Sequence, residues 1–194
     1  MPRALTEQEK CRICHRLIDK GKDIVLMHGI RKVSVDDITK AAGMSKGSFY
    51  QHFESKEKYL YELTLEVHRQ IFAQAEQMIF QDGDLQDNIR GFLLKLFHLP
   101  EVAFFSRNYH EISELINTLA DQGVQSSHQM EVDMFERLMV MAGIDTQKAK
   151  PGVVCNYVHM LNMIMGSDLM IEDYLPETID LIMDSLITYF FGGV

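Results

Sequence analysis

The chain has 194 residues, 46% hydrophobic and 24% charged, with only 4 Pro. That apolar content excludes a disordered chain, and three cysteines, an odd number, do not suggest a disulfide framework. No apolar run reaches the ~18 residues of a membrane span. The opening MPRALTEQEKCR lacks the apolar centre of a secretory leader, so the expected location is the cytoplasm, with no membrane partner. The net charge of −9 is unevenly spread. Residues 1–60 hold twelve Lys and Arg against eight Asp and Glu, a balance of +4; residues 61–194 hold seven against twenty, a balance of −13. A basic head on an acidic body fits one end meeting an anionic polymer.

Apolar spacing is helical almost throughout, and no segment alternates as a strand would. A first helix is expected from about Thr6 to His28, with Ile13, Cys14, Leu17, Ile18, Ile24 and Val25 as its stripe and Gly29 as its stop. Ser34 caps a short helix, VDDITKAA, whose Asp36 and Asp37 suit the positive end of the helix dipole. Gly43 ends it, and Ser45 caps a third helix, KGSFYQHF. Ser55 caps a long fourth helix from Lys56 to about Phe80. After the QDGD turn, helices are expected up to Pro100 and over Glu101–Ala120, with a break near Ser106–Asn108. A DQG turn precedes a helix from Ser126 to Ala142, which Gly143 stops. The last two helices cover 146–166 and 177–190; the first of them begins at Thr146 or only at Pro151. The fold class is all-α, with a small three-helix N-terminal domain over residues 1–55 and a larger helical domain over residues 56–194.

Two short helices joined by AGMS form a helix-turn-helix. Ile38, Ala41 and Ala42 point inward from the first, and Phe49 and Phe53, at i and i+4, from the second. Lys46, Gly47, Ser48, Tyr50, Gln51 and His52 are left facing out. A helix reads base edges in the major groove through donors and acceptors on its outer face. Gln51 suits adenine, while Lys46, Tyr50 and Lys56 suit phosphates or base edges.

The stretch VSVDDITKAAGMSKGSFYQHFESKEKYL resembles the DNA-binding signature of TetR-type transcriptional regulators. The resemblance runs from about Leu17 to Leu60 and includes Gly29, Ile38, Ala42, Gly43, Ser45, Gly47, the Phe49–Tyr50 pair, Phe53, Lys56 and Glu57. It implies a homodimer on a palindromic operator in double-stranded DNA, with a small-molecule effector held in the body. Ser34 and Val35 would then meet the DNA backbone, residues 46–48 and 50–52 would read the groove, and Lys56 would anchor a phosphate. The resemblance is weaker at the front, where the first helix starts early and Gly21 and Lys22 stand in place of good helix formers.

The last two helices of such a body pair with a second copy. Tyr157, Leu161 and Ile164, then Ile179, Ile182, Met183, Leu186 and Phe190, form the stripes for this. Met130, Met134, Met160, Met163 and Met165 are candidates for an apolar effector pocket, since Met lines adaptable surfaces. Tyr109, His110, His128, Asn156 and His159 are candidates for its polar groups. The effector's identity is open. No catalytic motif occurs, so an enzyme is not expected, nor is any cofactor or bound metal. CRICH, Cys11–His15, has the C-x-x-C-H pattern of haem attachment. A helix puts Cys11, Cys14 and His15 on one face, with the two cysteines as small apolar residues of the extended first helix, Cys14 in the stripe that packs on the helix-turn-helix, and His15 at the edge. The alternative is a metal or thiol sensor of the same fold with these three residues as its input.

Overall fold

The computed structural model describes residues 6–119, 126–165, 167 and 169–192. Among these lie ten α-helices and one 3₁₀ turn, and no strand. The helices are α1 (Glu7–His28), α2 (Val35–Ala42), α3 (Lys46–Tyr50), α4 (Lys56–Ile79), α5 (Leu85–Leu96), α6 (Pro100–Arg107), α7 (Tyr109–Thr118), α8 (Ser127–Met141), α9 (Pro151–Met165) and α10 (Leu175–Phe191), with the turn at Glu172–Tyr174. The expected DQG turn lies outside the described residues. The break expected near Ser106–Asn108 falls at Asn108, between α6 and α7. The two starts left open for the helix after Gly143 resolve to Pro151, where a missing N–H costs least.

The chain divides into two compact units, one of Met1–Arg69 with Asn108–Val124, the other of Gln70–Arg107 with Gln125–Val194. The division falls inside α4. The first unit thus adds α7 to the helix-turn-helix.

In the first unit, α1 starts on a capping box: the Thr6 hydroxyl accepts from the Glu9 amide and the Glu9 carboxylate from the Thr6 amide. Leu17, Gly21 and Val25, four apart, form its buried stripe. Gly21 answers to close packing. A Cβ there would land on the Tyr59 hydroxyl, which is buried and donates 2.9 Å to the Leu17 carbonyl. The two glycine-induced losses, entropy and side-chain contact, are offset by bringing α1 against α4. Phe49, Phe53 and Tyr59 stack at centroid distances of 5.1–5.4 Å, and Ile38 and Ala42 are fully buried beneath α2. Ala41, expected inward, is exposed, because α2 turns it one residue off that stripe.

In the second unit, α8 packs against α9 and α9 against α10. Its core includes Phe92, Leu138, Val154, Leu161, Met183 and Leu186. Leu161, Met183 and Leu186 are fully buried within the chain itself. Their apolar surface is already used in the protomer, so they are not available to a second copy as the stripes suggested. Arg90 of α5 reaches Asp180 and Asp184 of α10, and the Tyr157 hydroxyl lies 3.0 Å from the Ser185 hydroxyl.

Candidate nucleic-acid interface

The helix-turn-helix is set by three local devices. Ser34 and Asp37 form a capping box at α2: the Asp37 carboxylate takes the Ser34 amide at 2.9 Å and the Ser34 hydroxyl at 2.6 Å. These bonds hold the Asp37 carboxyl below its ordinary range. Gly43 adopts φ 64° and ψ 39°, the left-handed conformation that closes α2, where a Cβ would be strained. The Ser45 hydroxyl then accepts from the Ser48 amide and starts α3.

This places Lys46, Gly47, Tyr50 and Gln51 on an exposed face, with Tyr50 56% accessible. Ser34, Val35 and Ser48 are half-buried at its edge. Lys46 meets Asp36 at 2.7 Å across the turn, and that hydrogen bond and charge raise the lysine's pKa. Both side chains are well exposed, so the pair is a weak and exchangeable contact.

One expected reading residue, His52, and the expected phosphate anchor, Lys56, make contacts within the chain. His52 is half-buried, with Nδ1 3.4 Å from Cys14 Sγ on α1 and a buried Nε2 that has no hydrogen-bond partner among the described residues. The α3 helix ends at Tyr50, so residue 52 swings off the face that a longer helix would have given it. Lys56 donates to the carbonyls of Ile30, Arg31 and Val33 at 3.3, 3.3 and 2.8 Å. Its ammonium closes the loop between α1 and α2, where three carbonyls compete with any phosphate. Beside it, Arg31 pairs with Glu111 at 3.2 Å and Glu114 at 3.0 Å, which ties the same loop to α7.

Residues 17–63 match the family described as bacterial regulatory proteins of the tetR family. The head belongs to the TetR family. The TetR-type head is 51% identical over 43 residues to the HTH-type transcriptional repressor DhaR of Mycobacterium sp. (strain GP1), a match covering 22% of each chain. It is 49% identical, also over 43 residues, to the uncharacterized HTH-type transcriptional regulator YwcC of Bacillus subtilis (strain 168), covering 22% of this chain and 19% of that one. The chain thus spans about a fifth of the length of these curated relatives. Beyond the TetR-type head the likeness is one of fold. A TetR-family regulator from Pectobacterium atrosepticum superposes with a TM-score of 0.60 at 16% identity, covering 98% of both chains.

The body candidates are scattered. Tyr109 and His110 stand exposed on α7 and belong to the first unit, with the TetR-type head. His128, Met130, Met134, Asn156, His159 and Met163 belong to the second. There His159 Nε2 meets Glu131 Oε2 at 2.9 Å, and the His128 ring lies 6.0 Å from the His159 ring. The Glu131 hydrogen bond raises the His159 pKa, against a smaller opposing effect of burial. Cys155, one turn before, is buried, and its thiol is pushed up to about 12 by desolvation and by Glu131. Glu131 was not foreseen, because nothing in a sequence pairs a residue of one helix with a residue 28 positions on.

None of the effector-pocket candidates lines a small apolar cavity in the second unit. It measures about 30 Å³ and is walled by Ile79, Phe92, Phe135, Met139, Val154 and Phe190, among others. A volume of that size holds a water or two and no organic effector. Phe190, expected at a dimer face, is part of this wall. Of the other dimer candidates, Tyr157, Ile164, Ile179 and Ile182 are half-buried. The outward sides of α9 and α10 instead carry Met160, Met163 and Leu181, 45%, 74% and 65% exposed.

Proposed function

We propose that the chain is a transcriptional regulator, a repressor that binds a palindromic operator in double-stranded DNA as a homodimer and is released by a small-molecule effector. The observation that carries the DNA-reading part is the exposed face of α3. A Cβ on Gly47 would stand 3.7 Å from the Ser45 hydroxyl, ordinary van der Waals contact, so nothing inside the chain requires glycine there. The space that glycine keeps open is outside the protein, where a phosphate backbone would approach. Tyr50 and Gln51 flank it, exposed and polar, and Lys46 needs only to exchange Asp36 for a phosphate. Ser34 and Val35 stand at the start of α2 and serve the same backbone contact.

The repressor reading is borrowed from the printed name of DhaR and rests on the head alone. Dimerisation is supported by the apolar side chains on the outer surface of the second unit. Besides Met160, Met163 and Leu181, Leu169, Ile171 and Tyr174 are 89%, 70% and 64% exposed before α10. A second copy of the same surface is the natural cover for such a patch. Among the described residues no helix is long and apolar enough to cross a membrane. An effector would release DNA through a higher affinity for one state of the chain than for the other.

Selection of the full chain against a library of random-sequence duplexes tests the reading. It should enrich one palindrome whose half-sites lie about one helical turn, or a multiple of it, apart. Enrichment of nothing, or of asymmetric sequences bound by one chain each, would refute the dimeric operator.

A further inference from the structure

The CRICH segment has a partner that its spacing does not reveal. Cys11 Sγ lies 3.8 Å from His15 Nε2, and Cys14 Sγ lies 3.4 Å from His52 Nδ1. Bonds of about 2.3 Å to sulfur and about 2.0–2.1 Å to nitrogen, at a tetrahedral angle, hold S and N about 3.5 Å apart. Both couples stand near that separation before any ion is present. They also adjoin one another, since Cys11 and Cys14 are three apart on α1 and so share one face of the helix. The four groups are the Cys₂His₂ set of a closed zinc site. Three come from α1, and the fourth from the residue pair that follows the reading helix.

We infer that Cys11, Cys14, His15 and His52 form a binding site for one thiophilic d¹⁰ cation of the Zn²⁺ type, which fastens α1 to the end of the DNA-reading segment. Among the described residues no three His, Cys, Asp or Glu side chains already stand as a metal-holding group. The ion therefore gathers two ready S–N couples into one, by rotation of the exposed Cys11 and His15 side chains about their χ angles. Ligation moves one proton from each thiol to solvent. One Zn²⁺ with two thiolates and two neutral imidazoles leaves the site's net charge as it was. His52 then holds its ring by the metal bond instead of a weak S–H contact, and the turn after α3 becomes part of a cross-link to α1.

The site goes beyond the operator reading and is tested without DNA. The full chain, reduced and stripped with a chelator, is titrated with Co²⁺ and then with Zn²⁺. One Co²⁺ per chain should give a thiolate-to-cobalt charge-transfer band with strong visible ligand-field absorption, and Zn²⁺ should displace it. Zn²⁺ should raise the Tm of the wild type. C11S should lose the band and the Tm rise, and H52N should weaken Zn²⁺ binding at least ~10-fold. Absence of the thiolate band at one equivalent would overturn the site. So would an H52N protein that binds Zn²⁺ as tightly as the wild type, because the ion would then sit on α1 alone. Cys11 is exposed, so C11S should fold even if H52N does not, and its unchanged Zn²⁺ affinity would by itself refute the proposal. Failure here leaves the DNA-binding reading intact, and failure of operator selection leaves the cobalt spectrum intact.

Discussion

In the first unit, the side chains that form the candidate interface sit within one turn of a cap or a glycine. Ser34, Gly43 and Ser45 fix the ends of α2 and α3, and the positions of Lys46, Tyr50 and Gln51 follow from them. In the second unit the polar groups meet across helices instead. Glu131 and His159 touch because α8 packs on α9, and Arg90 reaches Asp180 and Asp184 because α5 packs on α10. Local chemistry thus sets the ends of α2 and α3, and long-range packing sets the polar arrangement of the body.

The contrast can be broken by variants. The largest effect belongs to the body's core: Leu161→Ala, at a fully buried site, should cost about 2–5 kcal/mol in chemical denaturation, while leaving the caps of α2 and α3 intact. A loss below about 1 kcal/mol would show that α9 packs loosely. In the head, Gly21→Ala should cost about 1–3 kcal/mol through overpacking against Tyr59. A stabilised G21A protein would mean that Tyr59 moves aside freely. Lys56→Met removes a charge from three carbonyls, and should cost about 1–3 kcal/mol while barely changing the salt dependence of DNA binding. A salt slope reduced by about one unit would return Lys56 to the phosphates.

The His159–Glu131 pair gives a pH test of the body. The folded-state pKa of His159 is raised above its ordinary value of 6.5, first by its hydrogen bond to Glu131. The stability it contributes is therefore full below the unfolded pKa and is lost as pH rises through the folded one. The stability gap between wild type and His159→Gln should be widest in mildly acidic solution and should close in alkaline solution. A gap that widens with rising pH would contradict the pairing. The smallest effect is expected of Asp36→Asn, which frees Lys46 and removes a negative charge from the DNA-facing side. It should strengthen DNA binding by about two- to fivefold at low salt, and weaker binding would give Asp36 a positive role.

The sequence was most legible where structure is local. Thr6, Ser34 and Ser45 mark the starts of α1, α2 and α3 by their own chemistry, and Gly43 marks the end of α2. The exposed face of α3 followed from the buried spacing of Phe49 and Phe53. Its end did not, and His52 turned inward because the helix stops at Tyr50. Lys56 read as a phosphate anchor because a free cation at a helix start suggests one, while the carbonyls that hold it come from a loop over twenty residues away. In α9 and α10, apolar spacing marked the buried side as well as any dimer side. Periodicity alone could not tell that Leu161, Met183 and Leu186 are spent within the chain while Met160, Met163 and Leu181 are left outside.

The central claim is that α3 reads DNA through Tyr50 and Gln51. Its most direct test is the affinity of the wild type and of Tyr50→Ala/Gln51→Ala for the selected duplex and for a scrambled one, measured by anisotropy across a salt series. Wild-type affinity should fall steeply with salt. The double variant should keep its melting behaviour and its binding to the scrambled duplex, while losing about 100-fold or more on the selected one. A double variant that still prefers the selected duplex as strongly as the wild type does would contradict the account.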